Sequence, residues 1–293
     1  MKMKKFLPSV ILVFLISVLC SLRTDQVKWI NLLDKDLSKW EIYQSYRLTN
    51  SFKGEQPVDQ HGKPLTPIGY NKNEAGVFTA EMVNGEPVLH ITGEIYGCIF
   101  TKEDFSNYHL ILKYKWGSKK WEPRLDKLMD SGVLYNSTGE CGVDFWRSWM
   151  LGQEFQVMEG HAGDYWSIKN SAIDVRAFLP EGSMNTVADA GQPFLPVGSG
   201  TGRMGFCLRS ANYESPQNDW TTLELISFGD KSIHIVNGKV VMVLKNSRYV
   251  TDKGTFPLVS GKIQLQSEAA EVWYKDIRIS SIDRIPEEYV NLF

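Results

Sequence analysis

Thr222-Leu223-Glu224-Leu225-Ile226-Ser227-Phe228, Gly229-Asp230, Ser232-Ile233-His234-Ile235-Val236, Asn237-Gly238 and Val240-Val241-Met242-Val243-Leu244 form the stretch that decides the fold. Three short runs of β-branched and large apolar residues are separated by two-residue Gly-Asp and Asn-Gly breaks. Asn-Gly between such runs is the strongest short-range hairpin signal, because both central residues of the tight turn must take φ > 0. The spacing therefore predicts a three-stranded antiparallel meander.

Working outward, the same grammar recurs. Val88–Thr92 follows an Asn84-Gly85 turn, and Cys98–Thr101, His109–Trp116, Ser131–Asn136, Glu154–Glu159, Lys262–Gln266 and Val272–Ile279 read as further strands. No stretch after the N-terminal segment has the period of a long amphipathic helix, so the pattern predicts an all-β sandwich or barrel. Residues 171–204, rich in Gly, Pro, Ser and Ala, read as a long irregular insertion.

The chain has 293 residues, 43% hydrophobic and 12% aromatic, enough for one large core. With a formal net charge of −2 and no basic block, it has no nucleic-acid footprint. Residues 1–20 read as an export signal: Lys2, Lys4 and Lys5 precede an apolar run from Phe6 to Leu19 that is short for a membrane span. Cys20 ends that run, and three fates stay open: a lipid tether on Cys20, cleavage by ordinary signal peptidase nearby, or an uncleaved anchor. The expectation is an exported protein, periplasmic or held at the outer membrane and cell surface, with one domain over 27–284. Cys98, Cys141 and Cys207 show no metal spacing and read as buried small hydrophobes.

Gln153–Trp166 carries most of the chemistry. Alternation puts Glu154, Gln156 and Met158 on one face of a strand and Phe155, Val157 and Glu159 on the other. A solvated sheet face explains Glu154 and Gln156 about as well as a site does. The Gly160-His161-Ala162-Gly163 hinge, followed by Asp164, Tyr165 and Trp166, tips the balance toward a site, since two glycines permit a tight path that aims several side chains at one point. Asp130 opens another strand and by itself reads as a turn residue. Arg209 by default is a surface residue, and Glu268 and Glu271 flank Ala269-Ala270 in what reads as a turn. No G-x-S-x-G elbow, phosphate loop or zinc pattern is present in the sequence, so no motif requires a cofactor, and whether a divalent cation sits among the acids stays open.

Taken in order, Trp29…Leu32-Leu33-Asp34…Leu37…Trp40, Asn107–Leu110 with Tyr114–Gly117, Asp130-Ser131-Gly132, Glu154–Trp166, Val236–Gly238 and Gln264–Glu268 with Lys275–Ile277 resemble the 3-keto-disaccharide hydrolase family. The resemblance covers about Trp29 to Ile282 and departs from the family pattern at Met129, His161-Ala162 and Ala269-Ala270. It implies a concanavalin A-like (lectin/glucanase) antiparallel β-sandwich, a jelly roll, with a sugar site on one sheet. It also implies an oligosaccharide or glycoside substrate oxidised at C3, cleaved by elimination and hydration or by net hydrolysis. On that footing Glu154 is the expected principal acid/base, with Glu159, His161 and Asp164 as candidate catalytic partners. Asp130, Gln156, Trp166, Arg209 and Glu268 are the candidate substrate-binding residues. The rival is a carbohydrate-binding, non-catalytic module on the same fold.

Overall fold

The computed structural model describes residues 28–293; the export segment and Cys20 lie outside the described residues. Among the described residues the strands are β1 (Ile30–Asn31), β2 (Trp40–Gln44), β3 (Gly69–Tyr70), β4 (Phe78–Val83), β5 (Glu86–Ile91), β6 (Gly97–Thr101), β7 (Tyr108–Lys120), β8 (Asp130–Thr138), β9 (Leu151–Met158) and β10 (Tyr165–Ile168). They continue as β11 (Ser171–Phe178), β12 (Thr186–Ala188), β13 (Phe194–Gly198), β14 (Phe206–Leu208), β15 (Thr221–Phe228), β16 (Lys231–Val236), β17 (Lys239–Thr251), β18 (Gly254–Pro257), β19 (Lys262–Ser267) and β20 (Ala270–Ser281).

The meander forms as the sequence predicts. β15 pairs with β16 and β16 with β17, and Asn237 and Gly238 take φ of 46° and 72° at the second turn. These strands belong to a sheet ordered β4-β5-β20-β7-β15-β16-β17-β11-β13, with β1 also beside β20 and β18 beside β17. A second sheet runs β3-β2-β6-β19-β8-β9-β10-β14-β12. Only β12 and β14 pair in parallel. The result is a two-sheet antiparallel β-sandwich of the jelly-roll type.

Alternation explains the core. Leu110, Leu112, Tyr114 and Trp116 of β7 face Val133, Phe155, Val157, Ile263 and Leu265 of the second sheet, all within one buried apolar cluster. Polar neighbours of these residues, one position along each strand, necessarily point to the opposite faces. On the outer side of the first sheet, Ile226, Ile233 and Ile235 are covered by Ile285, Tyr289, Leu292 and Phe293 of the chain's end.

One expectation is corrected here. Residues 171–204 are not an irregular insertion: β11 pairs with both β13 and β17 inside the first sheet, and also meets β12. Ile173, Val175 and Ala177 are buried, while Asp174 and Arg176 are only partly covered, a regular period of two. The Gly- and Pro-rich turns on either side obscure that period in the sequence. Cys98, Cys141 and Cys207 are free and buried.

Candidate active site

The face of the second sheet turned away from the core carries a cleft of about 550 Å³, well inside the size range of small-molecule sites. Strand register explains its floor. Counting across β19, β8 and β9, Gln264, Leu134 and Glu154 form one row, and Glu154 is followed by Trp166 on β10 and then Phe206 on β14. One step along, Gln266 faces the Gly132–Gln156 pair, and one step further Asp130 pairs with Met158. Alternation thus places Asp130, Gly132, Glu154, Gln156 and Gln266 on one face, and Glu268, just past β19, completes the set.

Gly132 is the hollow in this floor. A Cβ added there would sit 2.2 Å from Glu154 Oε1 and 2.6 Å from Gln266 Oε1. The missing side chain is therefore the space in which the carboxyl and the amide lie side by side.

The walls come from two loops. Residues 121–129 bring Arg124 over the floor: Trp121 N donates to Ala269 O, Arg124 N to Trp121 O and Lys127 N to Arg124 O, a compact turn tied to the strand junction below. Arg124 Nη2 donates to Asp130 Oδ2 at 2.5 Å, and Nη1 reaches Glu268 Oε1 at 3.4 Å. Gln156 Nε2 donates to the other Asp130 oxygen at 3.1 Å. The second wall is the 139–150 loop, which contributes Asp144, Phe145 and Trp149; Asp144 accepts a hydrogen bond from Lys169 N and anchors this loop to the end of β10.

Three carboxyl groups and one guanidinium share this buried space, with Asp130, Glu154 and Gln156 each 5% exposed and Glu268 8%. Burial pushes Glu154 well above the ordinary carboxylate range, and the charges of Glu268, Asp130 and Asp144 push it further, against a hydrogen bond from Gln266. Burial also raises Glu268, and the pull of Arg124 limits the rise to about 7. Asp130 is driven up by burial and by Glu268 and drawn back by Arg124. One cation cannot neutralise three anions in a low-dielectric cleft, so the site retains protons at neutral pH. Several polar atoms are buried without partners: Arg124 Nε, Gln156 Oε1, Gln266 Oε1 and the hydroxyl of Tyr96. Such atoms are costly unless a ligand or water satisfies them.

The site therefore gathers Glu154, Asp130, Gln156, Trp166 and Glu268 from the sequence-derived candidates, and the other four stand elsewhere. Glu159 has the opposite strand parity, and its carboxylate accepts from Met129 N at 3.3 Å. The Gly160–Gly163 turn does aim its side chains at one point, but that point is Arg209. Asp164 is wholly buried, 2.8 Å from Arg209 Nη1 and 3.0 Å from His161 Nδ1, and Arg209 Nη2 caps Gly160 O. This cluster locks the β9–β10 turn. Neither Glu268 nor Glu271 lies on a solvated hairpin tip: Ala269, at φ 57°, passes the chain between the sheets, and Glu271 turns to His90 Nε2 at 2.9 Å on the other one. Arg124, Gln266, Asp144, Phe145, Trp149 and Lys169 are cleft residues that the sequence reasoning missed. Only Gln266 left a signal, through its strand parity with Gln264. Among the described residues no group of three or more His, Cys, Asp or Glu side chains is disposed to hold a metal ion.

Acids, amides and exposed aromatic rings thus lie together in one cleft on one sheet of the β-sandwich. The chain belongs to the 3-keto-alpha-glucoside-1,2-lyase-like domain family, whose sequence profile matches residues 28–280. Two solved structures from Parabacteroides distasonis, each named as a glycosyl hydrolase, are similar to it. One is 16% identical with a TM-score of 0.45, covering 87% of this chain and 100% of the other. The second is 14% identical with a TM-score of 0.46, covering 87% and 94%. The carbohydrate binding module CBM66 from Bacillus subtilis is 12% identical with a TM-score of 0.37, over 70% of this chain and 92% of the module. No functionally curated protein matches the chain.

Proposed function

We propose that this domain cleaves 3-keto-glycosides by acid/base-assisted β-elimination, followed by hydration. The observation that carries the proposal is the unequal placement of Glu154 and Glu268 relative to Arg124, the guanidinium beside the cleft floor. Glu268 lies against Arg124 and titrates at about 7, so its carboxylate is available as a base at neutral pH. Glu154 has no cation beside it and is held well above the ordinary range, so it retains its proton and serves as an acid.

A ketone at C3 acidifies the C2 proton, and the aglycone at C1 is β to that carbonyl. Glu268 removes the C2 proton, and the electron pair moves into a C2–C3 enolate. Charge developing on the C3 oxygen is balanced by Arg124, whose Nε is unpaired. Collapse of the enolate forms the C1–C2 double bond and expels the C1 oxygen, which takes the proton of Glu154. Water then adds across that double bond with the roles reversed. Glu154, now ionised, accepts a proton from water, and Glu268 returns one to C2. The net change is hydrolysis through a 1,2-unsaturated 3-keto sugar.

The test compares a 3-keto-disaccharide with its unoxidised parent. The expected result is turnover of the former alone, transient enone absorbance, and exchange of the C2 hydrogen with deuterium from solvent. Glu154→Gln should lower kcat by roughly 10²- to 10⁴-fold. Equal cleavage of the unoxidised parent would instead indicate conventional two-carboxylate hydrolysis.

A further inference from the structure

We infer that the cleft has a fixed polarity, with the 3-keto ring over Gly132 and a second sugar ring, the aglycone, seated on Trp166. The inference rests on the function proposed above and deepens it.

Strand order sets the direction. Glu268 follows β19, Gly132 lies on β8, Glu154 on β9 and Trp166 on β10, four neighbouring strands of one sheet. Adjacent strands are about 4.8 Å apart, so the base stands at the β19 side of the site, and the acid, whose carboxyl leans into the Gly132 hollow, stands between that base and Trp166. The group that protonates the leaving oxygen is carried by the strand paired with β10, and the base by the strand on the other side of Gly132. Whatever hangs from that oxygen must therefore extend over β10, away from Arg124.

What waits there is an apolar plate. Trp166 is the register partner of Glu154 and is 36% exposed, far more than the acids and amides of the floor. Phe206 supports its ring from the next strand, with centroids 4.4 Å apart. A large ring braced from behind and open to a cleft is poised to stack on a flat apolar face, such as that of a pyranose. Polar groups flank it: Ser167 and Lys169 border the same part of the cleft, and Lys169 is exposed and has no carboxylate partner within salt-bridge distance among the described residues. Ring stacking together with polar rims suits a sugar better than a plain hydrocarbon aglycone.

The experiment measures kcat and KM for methyl 3-keto-glucoside and for a 3-keto-glucosyl-glucose, with wild type and Trp166→Ala. The methyl compound has no ring to place on Trp166. The substitution should weaken kcat/KM for the disaccharide by roughly 10- to 100-fold and leave the methyl glycoside within about threefold. Equal losses on both substrates, or none on either, would overturn the polarity. Trp166→Phe, which keeps a ring and preserves the packing on Phe206, should recover much of the disaccharide activity; if the alanine variant does not fold, a Phe variant with equal losses on both substrates has the same refuting force. Failure of the wild type to turn over either compound would refute the function itself and is separable from these outcomes.

Discussion

Replacing Gly132 with alanine should separate activity from stability. The new Cβ would lie 2.2 Å from Glu154 Oε1, where ordinary contact begins near 3.4 Å, so the carboxyl must retreat by about 1.2 Å or the strands must part. Gln266 Cδ, at 2.9 Å, blocks retreat on one side. Gly132 lies within β8 and has no positive φ, so alanine fits the backbone there and should recover about 0.5–1 kcal/mol of strand propensity. Against that stands an overpacking cost of about 1–3 kcal/mol. The net stability change is small, a Tm shift within about 10 °C. A misplacement of about 1 Å at the acid, by contrast, should cost about 100-fold in kcat. Gly117→Ala is the matched control, because its Cβ would meet Glu271 Oε2 at 2.3 Å, an equal overlap on the other sheet and away from the cleft. Both variants are assayed for kcat on a 3-keto-glycoside and for Tm by calorimetry. Gly132→Ala activity within threefold of wild type, or an equal loss in Gly117→Ala, would refute the claim that this glycine seats the acid.

Two further outcomes follow from the charges. The acid limb of kcat/KM should inflect near 7, the position of Glu268, because the base must be ionised; Arg124→Met removes the cation that favours the ionised form and should move the limb to higher pH while lowering kcat, and a limb near 4–5 would exclude Glu268 as the base. His234 is buried neutral, stacked on Phe155 at 4.1 Å, and burial depresses it from 6.5 to about 3. Its folded value lies below its unfolded one, so the stability it contributes is lost as pH falls below about 6.5, by about 2 kcal/mol at pH 5. The buried cleft acids drift the opposite way, so the measurement is the difference between wild type and His234→Gln in urea unfolding at pH 7 and pH 5. That difference should narrow by about 2 kcal/mol, and a gap independent of pH would refute the assignment.

Much of the architecture was legible because it is periodic. Asn237-Gly238 and the apolar runs around it announce a hairpin before any tertiary contact is considered, and the parity of Glu154, Gln156 and Met158 puts them on the cleft face as expected. What was not legible is non-periodic or defined by absence. Arg124 sits in a turn with no repeating pattern and meets Glu268 across 144 positions of sequence. The role of Gly132 lies in a side chain it lacks. The His161–Asp164 segment shows the converse error. Its polar residues are close in sequence and do converge, but the direction of a glycine turn depends on what packs beneath it. Here Arg209 holds Asp164 with both its backbone N–H and its guanidinium, and none of His161, Asp164 and Arg209 lines the cleft. Local polar density marked a structural lock as readily as a site.

The proposed mechanism asks two glutamates of one cleft to play opposite parts, and their surroundings differ accordingly. Glu154 and Glu268 are both buried carboxyls on one sheet, and burial alone raises each of them. Arg124 breaks the symmetry, because it reaches Glu268 and Asp130 but not Glu154. Asp130, the nearer partner at 2.5 Å, helps hold Arg124 in place, while Glu268, reached at 3.4 Å, is raised to about 7 by burial against the pull of that cation. Binding of an uncharged sugar displaces water without supplying a counter-charge, which strengthens every interaction among these groups. The proton on Glu154 is then held more firmly until negative charge builds on the leaving oxygen, the moment at which its transfer becomes favourable. On the proposed mechanism, acid and base are therefore specified less by residue type than by distance from one arginine that no motif announces.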